Sequence, residues 1–280
     1  MIPTDFDYVR ADSVEGAIGT LADAGEDAKV LAGGHSLLPL MKLRLAAPTV
    51  LIDIGQLDEL RGIERTGEGV DIGATTTHAM LQDAEGLGVV SRAASLIADQ
   101  QVRNRGTIGG SLAHGDPASD LPTVLLALEG EVVARGPEGE RSIGASDLFQ
   151  EYLTTALAPD ELLTRVRLPA PESWAWGYEK FNRRAEDWAM VGVCALVRTS
   201  GGECEDVRIG LTNMGSTPLR ATAAEEALRG GPLDADRIAA AAEQAAEGTD
   251  PPSDLNATAE YKRHLARVLT RRALESAAGL

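Results

Sequence analysis

The chain has 280 residues, enough to bury a sizeable core as one large domain or two smaller ones. Hydrophobic residues at 44% and charged residues at 25% are the profile of a soluble globular protein, and no apolar run reaches the length of a membrane span. A formal net charge of −17 repels phosphate backbones and anionic lipid, which argues against nucleic acid and membrane surfaces as partners and otherwise serves solubility.

In chain order, Asp12 or Ser13 reads as an N-cap, followed by Val14, Ala17, Ile18 and Leu21 at helical spacing and by Gly25 as a stop. Residues 29–32 read as a strand and 37–45 as a helix, with Pro39 tolerated in its first turn. Residues 49–54 and 69–74 read as strands. Thr77 can cap a short helix through Gln82, and 89–98 is helical in pattern. Residues 120–130 read as a helix, 131–136 as a strand, Ser146-Asp147 as a short helix start and 161–169 as a strand. This mixture has no regular βαβ period, which predicts an α+β fold rather than a doubly wound sheet. Pro169 and Pro171 mark a boundary. Beyond it, "WAWGYEKF", "MVGVCALVRT" and "DVRIGLTN" read as strands, and 221–229, 234–246 and 258–276 as helices. In the last helix Tyr261, Leu265, Val268 and Leu269 are expected to face the core, with Lys262, Arg263, Arg267 and Arg271 pointing away.

Cys194 and Cys204 cannot build a disulfide framework, and two thiols cannot hold an iron–sulfur cluster that takes four ligands. His35, His78, His114 and His264 are scattered without a metal-binding pair. A metal used by this protein is therefore expected on another chain. The opening "MIPTDFDYVRADS" lacks the apolar core of a signal peptide, which points to the cytoplasm.

Two glycine-rich turns carry the chemistry. "AGGHSLL" links the strand at 29–32 to the helix at 37–45, and "TIGGSLA" lies at 107–113. Paired glycines let backbone N–H groups converge into an anion-binding nest, and a helix starting just after adds unpaired donors. Neither turn matches the P-loop or the G-x-G-x-x-G fingerprint. Two such turns suit a ligand with two phosphates, and Ser36, Thr107 and Ser111 add hydroxyls.

"AGGHSLLPLMKLR", "TIGGSLAHGDPASDLP", "GYEKFNRRAEDWAMVGV" and the closing "YKRHLARVLTRRAL" together resemble the FAD-binding medium subunit of the molybdenum hydroxylases, the xanthine dehydrogenase and aerobic carbon monoxide dehydrogenase family. The resemblance implies a vanillyl-alcohol-oxidase (PCMH) type FAD-binding fold over 1–170, in subdomains of about 1–55 and 56–170. An α+β domain with a three-stranded antiparallel sheet and helices then covers 171–280. It implies that Leu31, Ala32, Gly33, Gly34, His35, Ser36 and Leu37 wrap the FAD pyrophosphate, with Thr107, Ile108, Gly109, Gly110 and Ser111 as the second loop. Relatives often carry Asn in place of Ser111. Asp120 matches an acidic position near the sugar-like part of the cofactor, although its residue type also suits an N-cap. Lys180 matches a lysine near the flavin, although a solvated strand lysine is the plainer reading of the sequence.

The resemblance further implies noncovalent FAD, no catalytic acid or base on this chain, and two partners. These are a large subunit with the molybdopterin cofactor and a small subunit with two [2Fe–2S] clusters, arranged as a dimer of heterotrimers. Electrons would pass from the clusters through FAD to an external acceptor. A free-standing FAD oxidase or reductase of the same fold, and a nucleotide-binding accessory protein without redox turnover, remain the alternatives. The substrate of the complex is not written in this chain.

Overall fold

The computed structural model describes residues 2–280. The first lobe contains β1 (Asp7–Arg10), α1 (Val14–Ala24), β2 (Ala28–Leu31), α2 (Leu37–Leu43) and β3 (Val50–Asp53). The three strands form a parallel sheet in the order β1-β3-β2. The Ser13 hydroxyl accepts from the Gly16 N–H and caps α1, and Gly25 ends the helix at φ 62°. Val14, Ala17, Ile18 and Leu21 bury their shared face against Ile52 and Ile54. The lobe is thus a small βαβαβ unit; β2 and β3 fall where strands were expected, and the period went unseen because β1, largely exposed, shows no apolar alternation. Helix α2 stops two residues before the sequence predicts, because Arg44 turns left-handed at φ 60° and its N–H returns to the Leu40 and Met41 carbonyls.

The second lobe opens with β4 (Ile63–Arg65) and β5 (Gly69–Gly73). Five helices follow: α3 (His78–Asp83), α4 (Val89–Ser95), α5 (Gln100–Arg103), α6 (Ile108–His114) and α7 (Asp120–Leu128). Then come β6 (Glu131–Gly136), β7 (Gly139–Gly144), α8 (Ala145–Leu148), the β8 (Phe149–Glu151) and β9 (Thr154–Thr155) pair, and β10 (Leu162–Pro169). The sheet order is β4-β5-β10-β6-β7, antiparallel throughout. Val70, Ile72, Val132 and Val166 pack against Leu81, Val90, Leu112, Leu125 and Leu128. The edge strands β4 and β7 went unpredicted because their exposed, charged residues suit a sheet edge and show no apolar alternation.

The third part is the sheet β11 (Ala175–Phe181), β12 (Val191–Ser200), β13 (Glu203–Thr212) and β14 (Leu219–Arg220), followed by α9 (Thr222–Leu228), α10 (Ala235–Ala242) and α11 (Ala259–Ala278). The expected sheet of three strands gains a two-residue edge in β14. Residues 191–197 are all buried because this sheet is a middle layer. Cys194 and Leu196 face the second lobe, while Val191, Val193, Ala195 and Val197 face α9, α10 and α11. Two expectations for α11 fail. Lys262 is fully buried and its Nζ donates to Asp254 Oδ2 at 2.7 Å, while Tyr261 is exposed. A carboxylate eight residues upstream turns an apparently outward lysine inward, which helical periodicity does not register.

Candidate functional site

A cleft of about 870 Å³ lies between the first and second lobes, with β11 and the loop after it on its rim. Leu31, Ala32, Gly33, Gly34, His35, Ser36 and Leu37 line one side. Thr107, Gly109, Gly110 and Ser111 line the other, with Asp120 and Lys180 also on the wall. Ile108 is the exception among the residues singled out by sequence. Its side chain joins the second-lobe core, and its N–H donates to the Thr76 carbonyl at 3.0 Å. It therefore supports the loop from behind.

The first loop is an open set of donors. Gly34 takes φ 78°, which a side chain would strain. Gly33 presses against the Arg105 and Gly106 backbone, so a Cβ there would collide with it. Among the described residues the N–H groups of Gly33, Gly34, His35 and Ser36 donate to no protein acceptor. His35 Nδ1 lies 3.0 Å from the Gly33 carbonyl oxygen and folds the ring back over its own loop.

The second loop is built differently from the nest expected. It is the first turn of α6, capped by Thr107, and its donors are already used. The Ile108 and Gly109 N–H groups go to the Thr76 and Ala74 carbonyls, and the Gly110 N–H goes to Thr107 Oγ1 at 3.2 Å. Gly110 is helical rather than left-handed, so no special backbone angle demands glycine. A Cβ at 110 would meet Thr107 Oγ1 at 2.8 Å and would otherwise stand in the cleft. The second loop thus offers a close, side-chain-free wall and the Ser111 hydroxyl more than free amides.

Asp120 is the first residue of α7 and Ser119 holds the N-cap position, so the capping role read from sequence does not apply. The Asp120 carboxylate instead accepts from Tyr178 Oη at 2.6 Å and Lys180 Nζ at 2.8 Å, and Lys180 also donates to the Leu96 carbonyl at 3.0 Å. Both side chains of the ion pair are only 4% exposed, so the reading of Lys180 as solvated is overturned. Burial pushes the Asp120 carboxyl up, against the pull of Lys180 and then the Tyr178 hydroxyl. Burial and the neighbouring Asp120 push Tyr178 well above its ordinary range.

Three residues at the mouth of the cleft had no distinctive sequence signal. Glu186, Asp187 and Trp188 stand on its rim, with Trp188 more than half exposed. His114 lines it, and burial lowers its pKa. Asp116 accepts from the Ala118 N–H at 2.8 Å, the turn that an Asp-Pro pair suggests. His78 also lines the cleft. The one sequence hint to it is its place directly after the Thr77 cap. No group of three or more His, Cys, Asp or Glu side chains among the described residues could hold a metal ion.

The model of the FAD binding domain in molybdopterin dehydrogenase matches residues 4–171, and that of the CO dehydrogenase flavoprotein C-terminal domain matches 176–277. The chain belongs to this flavoprotein family. Among relatives of this molybdopterin dehydrogenase flavoprotein, the carbon monoxide dehydrogenase medium chain of Hydrogenophaga pseudoflava is 42% identical, over 99% of this chain and 98% of the relative. The 6-hydroxypseudooxynicotine dehydrogenase complex subunit alpha of Paenarthrobacter nicotinovorans is 41% identical over 99% and 96%. The solved carbon monoxide dehydrogenase of Hydrogenophaga pseudoflava contains a chain that superposes with a TM-score of 0.96 at 44% identity, covering 100% of this chain and 99% of that one. The expected α+β flavoprotein fold is borne out, and the chain is an oxidoreductase component. The identities to chains named for two different substrates are nearly equal and single out neither.

The cleft fits FAD on its own geometry. Its volume is near the top of the roughly 300–1,000 Å³ range of ligand pockets, as a large dinucleotide requires. Four unpaired amides on a glycine turn face a wall that carries no side chain at Gly110.

Proposed function

We propose that this flavoprotein is the electron-transfer subunit of a carbon monoxide dehydrogenase-like molybdenum hydroxylase. It holds FAD noncovalently and relays electrons from the [2Fe–2S] clusters of a small subunit to an external acceptor. FAD supplies the redox chemistry when bound; the chain supplies binding, orientation and exclusion of water. Residues 1–170 carry the cofactor and residues 171–280 close the cleft through Lys180 and the rim loop. The amides of Gly33, Gly34, His35 and Ser36 cradle the pyrophosphate, and Gly110 with Ser111 forms the opposing wall. Asp120, pinned by Lys180 and Tyr178, faces the sugar-like portion. The large subunit with the molybdopterin cofactor selects the substrate, and two heterotrimers pair in the cytoplasm.

The observation that carries this reading is the unpaired amide nest of the first loop, set across the cleft from a glycine wall. The test is FAD binding by the purified chain. One FAD per chain should bind, and acid precipitation should release it into the supernatant. Gly110→Val should keep the circular dichroism spectrum and lose most of the flavin, because the added side chain fills the cleft wall. Yellow colour held in the acid pellet would instead make His35 an attachment point. Normal flavin content in a folded Gly110→Val variant would move the pyrophosphate away from this wall.

A further inference from the structure

His78 is left unused by the reading above. It opens α3, and its backbone N–H donates to the Gly106 carbonyl at 2.9 Å, which holds the ring against the segment leading into the second loop. The side chain is buried, 5% exposed, yet lines the cleft. Its Nδ1 is buried with no hydrogen-bond partner among the described residues. A buried orphan acceptor is tolerated more readily than a buried orphan N–H. The ring proton therefore belongs on Nε2, the polar edge left to the cleft. Gly106 lies along that same edge: a Cβ at 106 would come within 2.7 Å of Cδ2 and 2.9 Å of Nε2. Glycine at 106 thus keeps the donor uncovered, beside the place where the Gly33 backbone meets Arg105 and Gly106.

The surroundings select the kind of acceptor. The charged neighbours that act on His78 are His35 from the first loop and Arg103 from α5, both able to carry positive charge. Burial, then His35 and Arg103, push His78 down to about 4, so at neutral pH it is a neutral N–H donor in a positive field. A neutral donor near the Arg103 guanidinium and the free amides of the first loop is complementary to an anionic oxygen.

We infer that the His78 Nε2–H donates a hydrogen bond to a phosphate oxygen of the dinucleotide in the cleft, making His78 a cofactor-binding residue. The inference rests on the FAD reading and adds a pyrophosphate ligand from outside both glycine loops. A hydrogen bond to a charged group contributes about 1.5–3 kcal/mol, at least tenfold in affinity.

The test uses the full chain stripped of FAD. His78→Gln keeps a side-chain N–H donor and His78→Leu removes it. FAD affinity, read by flavin fluorescence, should fall at least tenfold in His78→Leu and stay within about threefold in His78→Gln. In wild-type protein labelled with ¹⁵N-histidine, the His78 signals, identified by their loss in His78→Gln, should shift on adding ADP, which carries the pyrophosphate without a flavin. Riboflavin, which has no phosphate, should leave them in place. Full FAD affinity in folded His78→Leu, or His78 signals that ignore ADP or answer riboflavin instead, would overturn the assignment while leaving the FAD reading intact. Failure of the wild-type chain to bind FAD would sink both. If His78→Leu does not fold, the wild-type ADP titration decides alone.

Discussion

In an unfolded chain His78 titrates near the ordinary histidine value of about 6.5, whereas in the fold burial pushes it down to about 4. Between these values the unfolded state binds the proton and the native state does not. Stability is therefore fully present above about pH 6.5 and is lost as pH falls towards 4. By pH 5 the loss from this one ring is about 2 kcal/mol. Other groups titrate over the same range, so the useful comparison is with His78→Gln, which has no proton to take up. Denaturant unfolding of the FAD-free protein at pH 7 and pH 5 should show wild type losing about 2 kcal/mol more than His78→Gln. Parallel losses would mean that the ring reaches solvent and titrates normally. The same residue shows a limit of sequence reading. A lone histidine after a threonine carries no periodic or motif signal, and only the folded approach of Gly106 and His35 gives it a role.

Helix α7 and strand β11 meet at the buried triad of Asp120, Tyr178 and Lys180, more than fifty residues apart in sequence. Removing one partner of a buried ion pair leaves an uncompensated charge, which costs about 3–5 kcal/mol. Lys180→Met should lower the stability of the FAD-free protein by that amount, measured by denaturant unfolding. Adding Asp120→Leu to it should restore a large part, because an apolar pair no longer buries a charge. A stable Lys180→Met single variant would show that the carboxyl is already protonated in the native state. The glycine turns were legible because close backbone approach allows only small residues, and Gly33 against Arg105–Gly106 shows that constraint in the fold. The state of the second turn was not legible. "TIGGSLA" reads alike whether its amides are free or bonded to the carbonyls of Ala74 and Thr76, just past the end of β5 and some thirty residues away. Ile108 within it faces the core for the same reason. Lys180 and Lys262 share a further lesson, since each is drawn inside by an aspartate that no local pattern pairs with it.

At the scale of the whole molecule, the chain binds a cofactor but has no group of side chains suited to hold a metal cluster among its described residues. Its two thiols are both buried, and burial pushes Cys194 far above the thiol range. Two cysteines fall short of the four ligands that such clusters take, so in the proposed relay electrons enter from another chain. The cleft rim at Glu186, Asp187 and Trp188 is open to solvent, which gives a soluble reductant access. The isolated FAD-loaded chain should therefore be bleached by dithionite and remain unbleached by the substrate of the complex, followed by flavin absorbance. Adding the large and small subunits together should restore bleaching by substrate, and neither alone should suffice. Bleaching of the isolated chain by substrate would replace the relay with a free-standing oxidase. Bleaching that needs the large subunit but not the small one would keep the flavoprotein role and overturn the order of electron flow.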